Sequence, residues 1–332
     1  MLLGIDLHKR AAQVAVRDDD GELIENVRVR LADLEALANE YAGGTAVIEA
    51  TTNYFHVYDT LAEQLDVLVA HPPKLKAIAR TDKKTDKVDA AELSRLLWLH
   101  SVPTSYVPTD EIREARVLVR GRISLQEERT RFVNKIHALL LDNGIPRKIS
   151  AVSKKSREEL DELELAAPWD GLLDSYLAVI DTLTAEIDQL AERIEVRAEA
   201  LEETQLLMTI PGISHYSALV IYAELGEIAR FDTAKQVVRY VGLNPVVRES
   251  ADSQFVGSIS KNGSGTVRWL LVQAIHSAVH TVGDPYLSRF YDRIERRKNA
   301  QIAVVATARK LLVSIFHMLD REEVYDPPGV SG

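Results

Sequence analysis

The sequence predicts an α/β N-terminal domain, a long helical middle segment and a mainly α C-terminal domain. Three observations carry this. Short apolar runs separated by turn residues crowd the first 70 positions. Helical apolar spacing then runs almost unbroken through 109–142 and 170–204. After 205, apolar segments alternate with Gly- and Pro-rich turns. The domains expected are therefore 1–108, 109–204 and 205–332.

Residues 2–8 (LLGIDLH), 12–18 (AQVAVRD) and 22–30 (ELIENVRVR) read as three strands, parted by Lys9-Arg10 and Asp18–Gly21. Residues 31–42 have helical spacing, 45–50 (TAVIEA) read as a strand, 54–65 as a helix and 66–70 as a fifth strand. Three strands, helix, strand, helix, strand is the order of an RNase H/RuvC-like domain. A helix over about 86–99 follows. Pro103 and Pro108 mark a linker. Thr109 is placed to cap a long helix that Gly144 and Pro146 stop. Residues 170–204 fit an antiparallel helical hairpin or coiled-coil arm, or equally an amphipathic bundle helix. The stretch from 207, with Pro211-Gly212-Ile213 between apolar segments, fits a helix-hairpin-helix, whose turn offers backbone N–H groups to phosphate or only packs. Residues 242–265 read as loop with short strands. Apolar helices are expected at about 266–282 and 299–319.

Composition narrows the chemistry. The chain has no cysteine, which excludes disulfides, thiol nucleophiles and Cys-based zinc sites. No uninterrupted apolar run reaches the roughly 18 residues of a membrane span, and a cytoplasmic, prokaryotic protein with no membrane partner is expected. Arginine in excess of lysine, with abundant aspartate, hints at a salt-loving source such as a halophilic archaeon. A net charge of −10 is unusual for a nucleic-acid binder. Basic residues are nevertheless grouped, in 71–87 (including Lys84 and Lys87) and in 113–135. Arg113, Arg116 and Arg120 recur on one helical face, where they could meet phosphate or be solvated. Tyr106, Phe132 and His137 could stack on bases, with core packing the competing role for Phe132.

Four acids stand out. Asp6 interrupts an apolar strand, where a lone carboxylate is costly unless it is paired or binds a cation. Glu49 ends the apolar run AVIEA. Asp86 and Asp89 share one helix face, where the helix dipole alone could also favour them. First and fourth strands are neighbours in this fold, so the four acids would converge. Such a cluster needs divalent metal, and hard oxygen ligands suit Mg2+. Two ions about 3.5–4 Å apart can activate a nucleophile and stabilise the oxygen leaving a phosphodiester.

At these residues the chain resembles the insertion-sequence-110 family of DEDD transposases. GID at 4–6 with Lys9, EAT at 49–51 and KTDKVDA at 84–90 match its N-terminal pattern. PGI at 211–213, GLNP at 242–245 and GSISKNGSGTVRWLL at 257–271 resemble its second conserved domain. The resemblance implies catalysis by Asp6, Glu49, Asp86 and Asp89, holding Mg2+, together with a serine nucleophile that forms a covalent phosphoserine link to DNA. Alignment back from Gly257 places that serine at Ser250. The family commonly has Ser-Gly where this chain has Ser250-Ala251, and Ser253, then Ser258 and Ser260, are the alternatives. The resemblance also implies donor and target DNA as substrates, a structured guide (bridge) RNA, and a homo-oligomer, dimer or tetramer. Lys9, Lys84, Lys87, Arg113, Arg116, Arg120, Gly212, Lys261 and Arg268 are the expected nucleic-acid contacts. Rival readings are a site-specific DNA invertase, a RuvC-like nuclease using water, and a DNA-binding protein that has lost catalysis.

Overall fold

The computed structural model describes residues 1–51, 53–78, 85–146, 149, 151–250 and 253–327; for 247–250 and 253–256 it describes the backbone alone. Two compact units are present, Met1–Val107 and Pro108–Gly332. The middle segment expected at 109–204 and the C-terminal part expected at 205–332 thus share one unit.

The first unit is built on strands β1 (Leu2–Leu7), β2 (Ala11–Arg17), β3 (Leu23–Arg30), β4 (Thr45–Glu49) and β5 (Asp66–Ala70). Its helices are α1 (Leu34–Glu40), α2 (Tyr54–Ala62), α3 (Pro72–Ile78) and α4 (Asp86–Trp98). The sheet order is β3-β2-β1-β4-β5. β1 is antiparallel to β2 and parallel to β4, and β4 is parallel to β5. This mixed sheet is compatible with the RNase H-like domain expected from the order of elements. Short α3 lay outside that expectation; its paired prolines suit a first helical turn, where no N–H partner is needed.

Strand parity divides the sheet into two faces. Leu3, Ile5, Leu7, Ala46 and Ile48 join one core with α1 and α2. Val47 and Ala70 join another, with Leu93, Leu96 and Leu97 of α4. Gly4, Asp6 and His8 share the α4 face by the same alternation. At Gly4 the helix comes very close: a Cβ there would lie 2.2 Å from the Ser94 nitrogen and 2.3 Å from the Ala90 oxygen. Ala90 and Ser94 are buried and small, so the helix backbone can rest on the strand.

The second unit opens with α5 (Asp110–Asp142), α6 (Lys154–Asp161), α7 (Trp169–Ala200) and α8 (Glu202–Met208). It continues through α9 (His215–Leu225), α10 (Ala234–Val241), strands β6 (Pro245–Ser250) and β7 (Ser253–Ile259), α11 (Gly265–Ser277), α12 (Pro285–Glu295) and α13 (Ala300–Arg321). The hairpin expected within 170–204 is not there. α7 is one continuous helix, and its antiparallel partner is α5: Arg129 donates to Thr184 near the middle of the pair, and Arg197 donates to Glu111 at one end. The buried seam on α7, Leu173, Leu177, Ile180, Ile187, Ile194 and Ala198, advances in steps of three, four and seven residues, which keep to one helical face. One end of the pair closes a small core with α6. The other carries Ile112, Ala115, Val119, Ile194 and Ala198 into the core of α8–α13. α13 is apolar enough by length and composition to cross a membrane, and its Ala303, Ala308, Leu311, Leu312 and Ile315 are fully buried in that core.

The contact of α4 with Gly4 gives a direct expectation. Gly4→Ala should destabilise the first unit by about 1–3 kcal/mol, the usual cost of overpacking, because the added methyl meets backbone that can move only with the whole helix. Chemical denaturation checks this; an unchanged midpoint would contradict the packing described.

Candidate metal centre

The same apposition assembles the acids. β1 pairs with β4 through Gly4–Val47 and Ile5–Ile48, so Asp6 and Glu49 occupy the next row on the α4 face. α4 begins directly above that row. Thr85 caps it by accepting from the Val88 N–H, and Asp86 and Asp89 fill its first turn. Their place at a helix N-terminus offsets part of their charge.

The ligand atoms of Asp6 and Asp86 come within 4.8 Å of each other. The Asp6 carboxyl is raised above its ordinary value of 3.8, first by burial and then by the negative charges of Asp89, Asp86 and Glu49, with His8 opposing. Its side chain is only 16% exposed. A carboxylate that feels three others in a partly buried place is a poor stabiliser of the metal-free fold and a strong attractor of cations.

Two further side chains complete the surroundings, and both escaped the sequence reading. His8 lies just past β1, two residues after Asp6 on the same face. Its Nε2 is 3.4 Å from Asp6 Oδ2 and 3.0 Å from Asp86 Oδ2. Arg28 Nη1 approaches Asp86 Oδ2 at 3.5 Å from β3. The two-residue step from Asp6 was the available signal for His8. Buried Gln13, paired with Asp6 across β1 and β2, donates to Asn26.

The expected nucleic-acid contacts divide. Lys9 and Lys87 are exposed beside the acids, Lys9 in the β1–β2 turn and Lys87 in the first turn of α4. Lys84 lies outside the described residues. In the second unit, Arg116 donates to the Ala223 carbonyl and Arg120 pairs with Glu224, both on α9. Arg113 donates to the Pro108 carbonyl and is 15% exposed. Arg116 and Arg120 thus reach α9 from α5, and the Arg120 side chain stays 58% exposed. Arg268 is similarly engaged, donating to the carbonyls of Val241, Asn262 and Gly263. Lys261 is exposed. Phe132 packs edge-on to Tyr176 within the α5–α7 core, and His137 meets the Ile149 carbonyl.

Gly212 lies in the turn between α8 and α9 with φ +88°, a conformation that favours glycine. A Cβ there would meet the Ala274 oxygen and the Ser277 side chain, each at 2.9 Å. Packing of this turn against α11 therefore accounts for the glycine without a phosphate. Ser250 ends β6 and pairs with Ser253 at the start of β7, at the tip of a hairpin. The side chains of both lie outside the described residues. Ser258 is exposed on β7, and the Ser260 hydroxyl donates to Asn244.

Comparison with known proteins agrees in both halves. The DEDD transposase model of the IS110 group matches residues 3–144, and the model described as the transposase IS116/IS110/IS902 family matches 204–292. The chain is 27% identical to the transposase for insertion sequence element IS1111A of Coxiella burnetii, over 98% of this chain and 91% of that protein. It is 25% identical to the transposase for insertion sequence element IS1328 of Yersinia enterocolitica, over 82% of each. With a DEDD domain ahead of the second conserved domain, the chain belongs to the IS110 family of transposases.

Proposed function

We propose that this transposase cuts and rejoins DNA by metal-dependent transesterification, with Asp6, Glu49, Asp86 and Asp89 as the metal-binding acids and Ser250 as the nucleophile. The observation that carries the metal part is the apposition of α4 on β1, which brings ligand atoms of Asp6 and Asp86 within 4.8 Å of each other, in the row and the helical turn that also hold Glu49 and Asp89. The donors fit a hard divalent cation such as Mg2+: they are carboxylate oxygens on rigid strand and helix positions, open enough for water and a phosphate to complete the coordination. When bound, Mg2+ would supply positive charge to the scissile phosphate and its departing oxygen.

The residues of the chain do the rest. Asp6 and Glu49 set the floor of the centre from adjacent strands, and Asp86 and Asp89 approach from the first turn of α4. The Ser250 hydroxyl attacks phosphorus; a Ser–O–P bond forms as the backbone P–O bond breaks, and the deoxyribose oxygen leaves with a proton. A DNA hydroxyl then displaces the serine, so bond energy is conserved and no nucleotide cofactor is consumed. Donor and target DNA are the substrates. The resemblance to the family supports a structured guide RNA and assembly of more than one protomer. Lys9 and Lys87, exposed beside the acids, are suited to phosphate contact.

Two expectations follow from this chemistry. Folding favours the protonated form of Asp6, so the stability associated with it is fully present at low pH and lost as pH rises through its raised folded value. In chelator, near neutral pH, Asp6→Asn should therefore melt above the parent, with the difference vanishing in acid. Mg2+ should raise the melting point of the parent and not of the variant. A variant that melts lower than the parent in chelator would contradict the repulsion. For the nucleophile, incubation with Mg2+, flanking RNA and labelled donor and target DNA, followed by denaturation, should leave DNA attached to protein in the parent and none in Ser250→Ala. An adduct surviving that change would move the role to Ser253 or a further serine. Cleavage with no adduct would assign the attack to water.

A further inference from the structure

We infer that His8 is itself a ligand of the cation held by Asp6 and Asp86, making the centre a mixed nitrogen–oxygen site that favours Mn2+ over Mg2+ more than carboxylates alone would. The inference rests on the metal-centre reading above and adds a donor to it. Asp6, His8 and Asp86 each offer one ligand atom within 4.8 Å of the others. An octahedral ion with bonds of about 2.1 Å has neighbouring donors about 3.0 Å apart, from simple geometry. His8 Nε2 stands 3.0 Å from Asp86 Oδ2 and 3.4 Å from Asp6 Oδ2, the spacing of adjacent vertices around one ion.

The orientation of the ring separates a ligand from an ordinary ion pair. Nε2 is shielded from solvent and makes no hydrogen bond of acceptable geometry, despite two carboxylate oxygens close by. A histidine placed to hydrogen-bond Asp86 would aim its N–H at that oxygen. Here the nitrogen is close to both carboxylates and in line for a hydrogen bond with neither. The backbone holds it there: the His8 N–H donates to the Ala11 carbonyl across the β1–β2 turn, and strand alternation puts His8 on the face of Asp6. Imidazole suits transition metals, whereas Mg2+ strongly prefers oxygen, so one nitrogen donor biases selection toward Mn2+.

One other histidine–carboxylate group exists among the described residues: Glu195 and Glu199 on α7 with His215 on α9. His215 lies 3.5 Å from Glu199 and 3.9 Å from Glu195, both carboxylates being well exposed. That group must be removed before any nitrogen signal is assigned.

The test is electron paramagnetic resonance on the full chain with Mn2+ in a His215→Ala background. Pulsed measurements should show nitrogen modulation from a directly bound imidazole, and His8→Ala should abolish it. Mn2+ affinity should fall about tenfold, at the lower end of losses seen when a metal site loses a supporting group. Mg2+ affinity, read by competition, should change far less. His8→Gln retains a polar side chain without an imidazole and should lose the modulation equally, which covers poor folding of the alanine variant. Bound Mn2+ without nitrogen modulation, or modulation that survives both changes, would overturn the inference and leave the four-acid centre standing. Mn2+ binding that is absent, or undiminished in Asp6→Asn, would defeat the metal-centre reading and this inference with it.

Discussion

The close seating of α4 on β1 governs the chemistry of the first unit. With no side chain at Gly4, the backbone of Ala90 and Ser94 can approach to a distance that any Cβ would forbid. The start of the helix is thereby held above the end of the strand, and Asp86 and Asp89 come over Asp6 and Glu49. A bulkier residue at position 4 would lift the helix and separate the acids. The glycine before Asp6 is thus a structural condition for the carboxylate cluster.

That condition sets folding against function. Four carboxylates that share a partly buried place repel one another, and the raised Asp6 carboxyl records the cost. The surrounding core offsets it. Leu3, Ile5, Ala46 and Ile48 are fully buried on the opposite face of the same strands, anchoring the rows on which the acids stand. The N-terminus of α4 and the nearby Arg28 reduce the repulsion further without neutralising it. A cation would remove most of what remains, which couples metal binding to the stability of the unit.

Much of this was readable from residue order, because strand alternation and the interrupted run LLGIDLH depend only on local pattern. Asp6 and Glu49 are recognisable as acids where the pattern calls for apolar side chains. Their pairing needs only the adjacency of first and fourth strands. His8 was harder to see: at a strand end a polar residue breaks no pattern, and its meaning comes from Asp86, far away in sequence. The partners of the α5 arginines were hidden for the same reason. Their spacing defines a face, and only tertiary packing shows that Arg116 and Arg120 reach α9 from it. In 170–204 the periodicity identified helix but could not distinguish an internal hairpin from a single helix partnered by α5. The short helices α3, α6, α10 and α12 lack enough turns for periodicity to stand out, and their form depends on the surfaces they cover.

The central claim is that Asp6 and the first turn of α4 form one cation-binding centre. Anomalous diffraction from crystals of the full chain soaked in Mn2+ tests it most directly. The account predicts a peak bonded to Asp6 and Asp86, with Glu49 and Asp89 bordering the same density. Crystals with no peak there, or with manganese only at Glu195, Glu199 and His215, would contradict it.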